Sequence, residues 1–507
     1  MIFNAQLEKN LVKTFDFCII GSGVGASTLA LELFDSHYSI LLIEAGNFDS
    51  NSNQFIKKEI YGQKFGLEKT NSIEVGGTSN LWHGVLAPLD KIDFEKRSWI
   101  QNSGWPICYN ELLPYYKRAA NLLGLSKFDY FQKNNLSPKI NKVLELMKFN
   151  KKILKNKIFQ RPMPITQFKK ILLKKLNNSQ NCHLLYNTAA LELVHGKSKK
   201  INELICGNNK GKKFVIKANK FIICAGALET PRLLLNSKIN NKNIGKYLMD
   251  HPMGSTHQIK FQKKQNANLF NYFNESKNLM IKSGFTFTDD VQKESKIPNH
   301  CFYTKAAFFK GIDLNFDKVY LSYESIKKGK LSLKYFINIL ANLRLVISIL
   351  AINLRLKTRY TDLFFITEQT PNSESKVTLS EKKDIFGYPI AKVNWRLSNN
   401  DILSVSKVLN ILKTKVFKQD FIIEIKRASS NGWKKIYTSA AHHLGTARMS
   451  DSRVNGVVDK NLNVFEIENL FICDGSVFPT SGNANCALTI SALSCRLADH
   501  LKNLNKK

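Results

Sequence analysis

The chain has 507 residues, of which 43% are hydrophobic and 11% aromatic, and its 75 Lys and Arg against 40 Asp and Glu give a net charge of +35. This length and composition exclude a disordered polymer and indicate a large buried core in two or more domains. The positive charge suits a nucleic acid or an anionic membrane. Since no nucleic-acid-binding motif or Cys/His finger spacing occurs, we expect no nucleic-acid partner.

The cysteines are nine in number, scattered, and without a CxxC pair. Several lie in apolar runs such as FDFCII and LFICDG, where a free thiol behaves as a small hydrophobe. A disulfide framework is therefore not expected, which fits a reducing compartment. The N-terminal MIFNAQLEKNLVKTF has no apolar h-region, so it predicts no secretory signal. We expect a cytoplasmic protein.

Residues 15–46 predict a βαβ unit. FDFCII (15–20) is a buried-strand pattern, STLALELFDS (27–36) is helix-like, and SILLIEAG (39–46) is a second buried strand. Between the first strand and the helix lies GSGVGA, which carries the G-x-G-x-x-G/A spacing of dinucleotide-binding turns. We therefore expect a dinucleotide at the amino end of this helix. The unit alone does not separate FAD from NAD.

Each small residue of the turn has a physical role. Gly21 permits the tight turn, Gly23 lets the backbone approach a pyrophosphate, and Ala26 keeps helix and strand close. Glu44 ends the second strand, where its carboxylate can accept hydrogen bonds from the ribose hydroxyls and would repel the 2′-phosphate of NADP. The same turn and strand end add the candidates Ser22, Gly25 and Ala45.

Residues 325–360 form a basic apolar segment with eight Lys or Arg and no acid, predicted to be helical. A spanning helix would place Arg344 near the bilayer centre at a cost of about 2.5–3.5 kcal/mol, so a transmembrane span is not expected. The broad apolar face lies either in a membrane interface or against the domain's own sheet. Opposite it, one helical stripe holds Lys334, Asn338, Ala341, Ser348 and Arg355.

The stretch AAHHLGTARMS (440–450) contains two adjacent histidines. Neighbouring side chains point to opposite faces of a strand and diverge by roughly 100° on a helix, so His442 and His443 cannot easily share one ion. No H-E-x-x-H or Cys-rich cluster occurs either, and we expect no metal site. A structural histidine and a proton carrier remain open from these residues alone.

Several further stretches carry a family resemblance. They are EVGGTSNLWHGVLAPLD (74–90), GWPICYNELLPYYKRAANLLGL (104–125), FIICAGALETPRLLLNS (221–237), NIGKYLMDHP (243–252) and the C-terminal HHLGTARM and CDGSVFPTSGNANCALT. In this order they resemble the glucose–methanol–choline (GMC) oxidoreductases, most specifically over 438–501 and least over about 260–430. The resemblance implies FAD and the oxidation of an alcohol.

The resemblance also implies an α/β fold, α+β overall. It predicts a Rossmann-like FAD-binding domain with a ββα-type nucleotide site, discontinuous over 10–260 and 438–507, in which 74–130 forms a flavin-attachment or lid region. A substrate domain, built on a mostly antiparallel sheet, is expected over 261–437.

Further cofactor contacts follow from the resemblance. The GGTSN stretch passes the pyrophosphate and flavin in the family, and its two glycines suit close approach to a flat ring. Asp474 ends another strand, where a carboxylate can bond the ribityl hydroxyls. The candidates are Gly76, Gly77, Thr78, Ser79, Asn80, Ala225, Gly226, Asp474, Gly475 and Ala487, with Gly482 and Asn483 as lesser ones.

The catalytic pair is assigned in the same way. The His of the family's H-x-x-G-T pattern faces the flavin, and here it is His442, whose imidazole titrates near working pH. The family's second His or Asn is here Asn485, which can hold the substrate oxygen. This His–Asn pair resembles the sugar-oxidising branch, close to pyranose oxidase. His443 is expected to turn away.

Two positions depart from the family pattern. Relatives that bind flavin covalently carry a His where this chain has Leu81, so we expect non-covalent FAD, with nearby His83 as the remaining candidate for attachment. Cys486 replaces the usual Pro after the catalytic Asn.

The function expected from the sequence is an FAD-dependent alcohol dehydrogenase or oxidase acting on a CH–OH group, with a sugar or polyol preferred. Two alternatives stay open: a non-redox flavin-containing lyase of the same fold, and a membrane-associated accessory flavoprotein. The electron acceptor, which could be oxygen or a quinone, is not specified by any motif. Peripheral contact with the inner face of the membrane through 325–360 is a further expectation.

Overall fold

The computed structural model describes residues 2–4, 14–49, 57–63, 70–125, 128–131, 138–147, 149–196, 199–311, 319, 322–323, 325–326, 329, 331–417, 422–423 and 437–504. Most of the N-terminal stretch used to predict that no secretory signal is present lies outside these residues. All nine cysteines are free, and most of them are buried.

The strands and helices of the described residues run as follows. The strands are β1 Ile2–Asn4, β2 Phe15–Ile20, β3 Ile40–Ile43, β4 Lys58–Ile60, β5 Leu154–Pro162, β6 Cys182–Tyr186, β7 Thr188–His195, β8 Ile201–Asn208, β9 Lys213–Ile216, β10 Ala218–Ile223, β11 Pro252–Asn266, β12 Phe273–Ser276, β13 Leu279–Phe287, β14 Cys301–Ala307, β15 Lys357–Ile366, β16 Lys376–Lys383, β17 Pro389–Asn394, β18 Ile422–Ile423, β19 Thr438–Ser439 and β20 Leu470–Ile472. The helices are α1 Val24–Leu33, α2 Lys91–Phe94, α3 Tyr109–Leu122, α4 Pro138–Leu146, α5 Phe168–Asn177, α6 Gly226–Asn236, α7 Asp289–Ser295, α8 Leu333–Leu340, α9 Leu343–Asn353, α10 Asn399–Ile411 and α11 Ala487–Leu504.

A six-stranded parallel sheet in the order β1-β6-β3-β2-β10-β20 forms the centre of the first domain. Its strands are buried on both faces, which is why FDFCII reads as a continuous apolar run. Helix α1 connects β2 to β3 and packs against α11. The predicted Rossmann-like domain is confirmed, and its nucleotide unit is the βαβ arrangement of residues 15–46 rather than the ββα arrangement.

The second domain is built on an eight-stranded sheet. Its strands run in the order β12-β13-β14-β15-β11-β18, with β5 paired to β13 and β19 to β11, and every pairing is antiparallel. Phe285, Phe302 and Phe365 lie fully buried on one face, where α10 packs Val405 and Val408 against them. The predicted substrate domain on a mostly antiparallel sheet is confirmed.

The domain boundaries differ from those predicted. Strand β1 lies before residue 10 yet joins the parallel sheet, whereas β5 and the start of β11 lie within 10–260 yet belong to the antiparallel sheet. Inside 261–437, β17 pairs with β4 and β16 pairs with β17, and both strands pack on α6 of the first domain. A strand's hydrophobic pattern predicts burial but does not specify which sheet it joins, so these crossings were not visible in the sequence.

The segment 325–360 is not one helix. It contains α8 and α9, bent by 78° at Ala341–Asn342, and β15 begins at Lys357. The Asn342 side-chain amide donates to the Asn338 carbonyl. In a continuous helix, this carbonyl would accept from the backbone N–H of Asn342 instead. No single helix among the described residues is long and apolar enough to cross a bilayer, although this bent pair passes the same test of length and composition.

A buried ion pair joins the two domains. The guanidinium of Arg97, which follows α2, donates to both carboxylate oxygens of Glu368, which follows β15, at 2.7 and 2.5 Å. Both side chains are at most 1% exposed. Burial alone would raise the pKa of Glu368, but the adjacent guanidinium holds it below its usual value. The pair is therefore ionised and links the segment after α2 to the segment after β15.

Replacing Glu368 by Gln should lower the free energy of unfolding by about 3–5 kcal/mol, because it leaves the buried Arg97 charge unpaired. Glu468→Gln is the matched control, since its pair with Lys200 is 61% and 58% exposed and should contribute about 0–1 kcal/mol. Urea unfolding of both variants measures the difference. Equal losses in the two variants would contradict the special role of the buried pair.

Candidate active site

The turn after β2 forms an open cradle at the amino end of α1. Gly21 adopts φ +111°, and a Cβ there would lie 2.5 Å from the carbonyl oxygen of Cys224. At Gly23 a Cβ would meet no atom within 4 Å, so this face of the turn is open. Gly25 lies against the end of β20, where a Cβ would approach the Cys473 carbonyl to 2.1 Å, and Ala26 beside it is fully buried. Gly25 is therefore the residue at which α1 packs most closely against the parallel sheet.

Glu44 is tied to this turn by hydrogen bonds. Its carboxylate accepts from the Ser22 hydroxyl at 2.5 Å and from the Gly46 amide at 2.9 Å. Burial raises the pKa of Glu44. The two bonds leave acceptor capacity for further hydroxyl donors. Ala45 is partly buried beside it.

Ser22 also connects the turn to the GGTSN loop. Its hydroxyl oxygen accepts from the Gly76 amide at 3.0 Å. Gly77 has φ +57°, and a Cβ on it would lie 3.0 Å from the Cα of Gly23. The two glycine-rich stretches, 54 residues apart between Ser22 and Gly76, therefore lie against each other.

The side chains that follow these glycines are engaged within their own loop. Thr78 accepts from a backbone amide at 3.2 Å, whereas Ser79 and Asn80 donate to backbone carbonyls at 2.6 and 2.9 Å. These side chains hold the shape of the loop, and their predicted role as cofactor contacts stays a prediction.

The amino end of α6 forms a second open face. Ala225 caps the helix, and Gly226 has φ +78° with no atom within 4 Å of a Cβ position. Asp474 accepts from the Gly226 amide at 2.9 Å, the Thr230 hydroxyl at 2.7 Å and the Ser476 amide at 2.7 Å. Three of its roughly four acceptor positions are thus used by the protein. Asp474 ties α6 to residues 474–477, and its predicted ribityl contact, for which one acceptor position remains, stays a prediction.

Two glycines allow the loop that carries His442 and His443 to pack against its neighbours. The Gly445 amide donates to the Gly475 carbonyl at 3.1 Å, and Gly445 has φ +91°, where a side chain would meet the Tyr247 carbonyl at 2.2 Å. A Cβ on Gly475 would lie 2.7 Å from the His443 carbonyl oxygen. These contacts explain the small residues behind the paired histidines.

His442 and Asn485 lie in contact. The His442 Nε2 is 3.3 Å from the Asn485 amide nitrogen, and the His442 backbone amide donates to Asp250 at 3.1 Å. His443 points differently, with its Nε2 3.8 Å from the Asp250 carboxylate. Among the described residues, no three side chains of the metal-ligating types come together.

His251 is a site residue that the sequence reasoning did not single out. Its Nδ1 is 2.9 Å from the His442 Nδ1, and its Nε2 is 3.0 Å from the Ser481 carbonyl oxygen. The side chain is fully buried. A signal was available, because His251 lies in NIGKYLMDHP, a stretch that carried the family resemblance.

These contacts determine which nitrogens carry protons. A carbonyl oxygen only accepts, so the His251 Nε2 must donate to Ser481. Burial lowers the pKa of His251, which keeps the ring neutral and leaves its Nδ1 as an acceptor. His442 must then donate from Nδ1, and its Nε2 carries the lone pair that accepts from Asn485. His442 therefore presents a basic nitrogen beside Asn485.

Burial also lowers the pKa of His442 well below its usual value, and the neighbouring His251 and His443 lower it further. The imidazole is therefore neutral over the whole neutral pH range. A neutral ring can accept a proton, which is the requirement for a general base.

Unsatisfied polar atoms mark where ligands fit. The side-chain oxygens of Asn485 and Asn483 and the Ser476 hydroxyl are buried with no hydrogen-bond partner among the described residues. Ala487 begins α11 beside them, and Gly482 lies against Leu89. Together with the open faces at Gly23 and Gly226, these atoms fit a bound dinucleotide and a polar substrate.

Comparison with known proteins gives consistent matches. Two GMC oxidoreductase family models match residues 167–253 and 371–494. The 2-methyl-1,2-propanediol dehydrogenase of Mycolicibacterium austroafricanum is 23% identical over 96% of this chain and 95% of its own. The long-chain-alcohol oxidase FAO4B of Arabidopsis thaliana is 24% identical over 59% of this chain, which spans only 38% of that relative.

A solved structure shares the fold. Pyridoxine 4-oxidase from Mesorbium loti superposes with a TM-score of 0.62 at 17% identity, covering 97% of this chain and 99% of the other. The family models include His251, His442 and Asn485 within their matched ranges. The chain belongs to the GMC oxidoreductase family.

Proposed function

We propose that this protein oxidises the CH–OH group of an alcohol with FAD, and that a sugar or polyol is the physiological substrate. The observation that carries the proposal is the unprotonated Nε2 of His442 held beside Asn485. The family consists of FAD flavoproteins, and the similar proteins include a diol dehydrogenase and a long-chain-alcohol oxidase. Preference for a sugar rests on the His–Asn pair and remains a prediction.

The chain offers a place for each part of the cofactor. The open turn at Gly23 and the α1 amino end suit the pyrophosphate, and Glu44 suits the adenosine ribose. Backbone groups of Gly76, Gly77 and Gly226 suit the flavin half. Bound FAD would supply the acceptor for the hydride that leaves the substrate carbon.

The acid–base step belongs to His442. A substrate hydroxyl that takes up a position beside its Nε2 can transfer its proton to that lone pair as the C–H bond is broken. The Nδ1–H then continues to donate to His251, so the ring keeps its orientation while it carries charge. Because the ring starts neutral, no prior deprotonation is required.

Asn485 completes the substrate site. Its amide N–H donates to His442 in the structure and can donate to the substrate oxygen when an alcohol is bound. Its side-chain oxygen is buried without a partner among the described residues and can accept from the same or an adjacent hydroxyl. A substrate with neighbouring hydroxyls would satisfy both atoms, which favours a polyol or sugar.

We further propose that FAD is held without a covalent bond. Position 81 is Leu rather than the His that forms the bond in covalently flavinylated relatives, and His83 is an exposed side chain. Denaturation in acid should release all of the flavin into the supernatant.

Glu44→Ala should weaken FAD binding by about tenfold or more, the effect of losing a charge-assisted hydrogen bond of about 1.5–3 kcal/mol. Fluorescence titration of apoprotein with FAD measures the dissociation constant. Enzyme that retains flavin should still be reduced at the normal rate, because Glu44 lies away from the catalytic pair. Unchanged affinity would refute the ribose assignment.

His442→Ala should lower the rate of flavin reduction by about 10²–10⁴-fold with FAD still bound, the usual range for the loss of a general base. Anaerobic stopped-flow bleaching of the flavin band by a sugar or polyol is the measurement. His443→Ala is the control and should change the rate little. A full rate in His442→Ala would end the proposed mechanism, and the absence of bleaching by any alcohol in the wild type would favour a non-redox role.

His251→Phe removes the acceptor for the His442 Nδ1–H and should lower the reduction rate by about 10–10³-fold, since the wrong tautomer then becomes accessible. His251→Asn, whose amide oxygen can accept, should recover part of the rate. The affinity for substrate should change less than the rate in both variants. If Phe and Asn behave alike, His251 serves packing only.

A further inference from the structure

The helix pair α8–α9 presents a large apolar surface. Six leucine and isoleucine side chains along it are between 54% and 76% exposed: Leu333, Ile337, Leu340, Leu343, Leu350 and Leu354. Single exposed apolar residues are ordinary, but a contiguous patch on consecutive helices indicates a binding surface.

The opposite side of the pair holds it to the second domain. Leu345 and Ala351 are buried, and the Asn338 amide donates to the Ser322 hydroxyl at 3.3 Å. The Arg344 guanidinium donates to the Lys310 carbonyl and lies 5.1 Å from the Phe309 ring centroid. The predicted alternative, in which the apolar face packs on the domain's own sheet, is therefore not what the described residues show.

Exposed basic side chains lie at both ends of the helix pair. Lys334, Arg355 and Lys357 are exposed on the pair or at its end, and residues 325–360 contain no acid. Lys263 and Lys264 are exposed in the β11 bulge, next to the strand that continues from α9. A second copy of the same surface would be repelled by these charges, whereas an anionic lipid surface would be attracted.

We propose that α8–α9 inserts its apolar face into the interface of an anionic membrane and lies in the membrane plane, so that the protein is peripheral on the inner face of the membrane. The helices of 8 and 11 residues are only about 12 and 17 Å long, against a hydrocarbon core of about 30 Å. The break at Ala341–Asn342 leaves backbone groups that need water, which excludes a deep position. This attachment is independent of the redox reaction.

The test is flotation of purified holoprotein with vesicles of phosphatidylcholine alone and of phosphatidylcholine mixed with phosphatidylglycerol. Wild type should float with the anionic vesicles, less with neutral ones, and less again at high salt. Failure to float with either vesicle overturns the proposal, including the case in which the surface proves to join two copies in solution.

The variant Leu333→Glu, Leu340→Glu, Leu350→Glu should reduce anionic-vesicle partitioning on the order of tenfold or more. Its matched control is Leu403→Glu, Ile385→Glu, Val454→Glu, which changes equally exposed residues elsewhere and the net charge by the same amount. The proposal is overturned if the first variant still partitions to anionic vesicles like the wild type, or if the control variant loses as much partitioning as the first. Flavin content and flavin reduction should be normal in both.

The double variant Lys263→Gln, Lys264→Gln measures the electrostatic contribution to membrane binding separately from the apolar contribution. Each lost charge should weaken partitioning to anionic vesicles roughly fivefold and leave the neutral vesicles unaffected. An equal effect on both vesicle types would show that the basic residues do not face the lipid.

Discussion

The Asp250 carboxylate holds the reactive part of the molecule together. It accepts from the backbone amides of His251 and His442 and from the Ser439 hydroxyl, and it lies near the His443 ring. His251 and His442, almost two hundred positions apart in the chain, therefore donate to the same buried carboxylate. Without this anchor the two imidazoles would not meet through their Nδ1 atoms, and the protonation pattern of His442 would be undefined.

Glycines bring the other parts of the site to the same place. At Gly25, Gly445 and Gly475 a Cβ would collide with a neighbouring backbone carbonyl, so each marks a point where two segments touch. At Gly23 and Gly226 the same position is open, so a ligand rather than protein can fill it. Glycines of the first kind allow the segments of the site to pack together, whereas glycines of the second kind leave space for a ligand.

The second domain combines a buried ion pair with an exposed apolar helix pair. Glu368, which follows β15 of the antiparallel sheet, joins the two domains through its buried ion pair with Arg97. The α8–α9 pair extends outward from the same domain with apolar side chains exposed. The same domain thus contributes both the buried ion pair and the exposed apolar side chains of α8–α9.

The sequence by itself determined the nucleotide unit, the strands at 15–20 and 40–43, and the candidates Glu44, His442 and Asn485. Local spacing and apolar runs encode the nucleotide unit, its strands and Glu44, because a tight turn or a doubly buried strand restricts its own residues. His442 and Asn485 were assigned through the family resemblance of the C-terminal stretches. The sequence did not determine which sheet β5, β16 and β17 join, the break in 325–360, the hydrogen bonds that Asp474 accepts, or the contact between His251 and His442. Those depend on contacts between segments distant along the chain, and only the tertiary structure decides which acceptor a buried nitrogen finds.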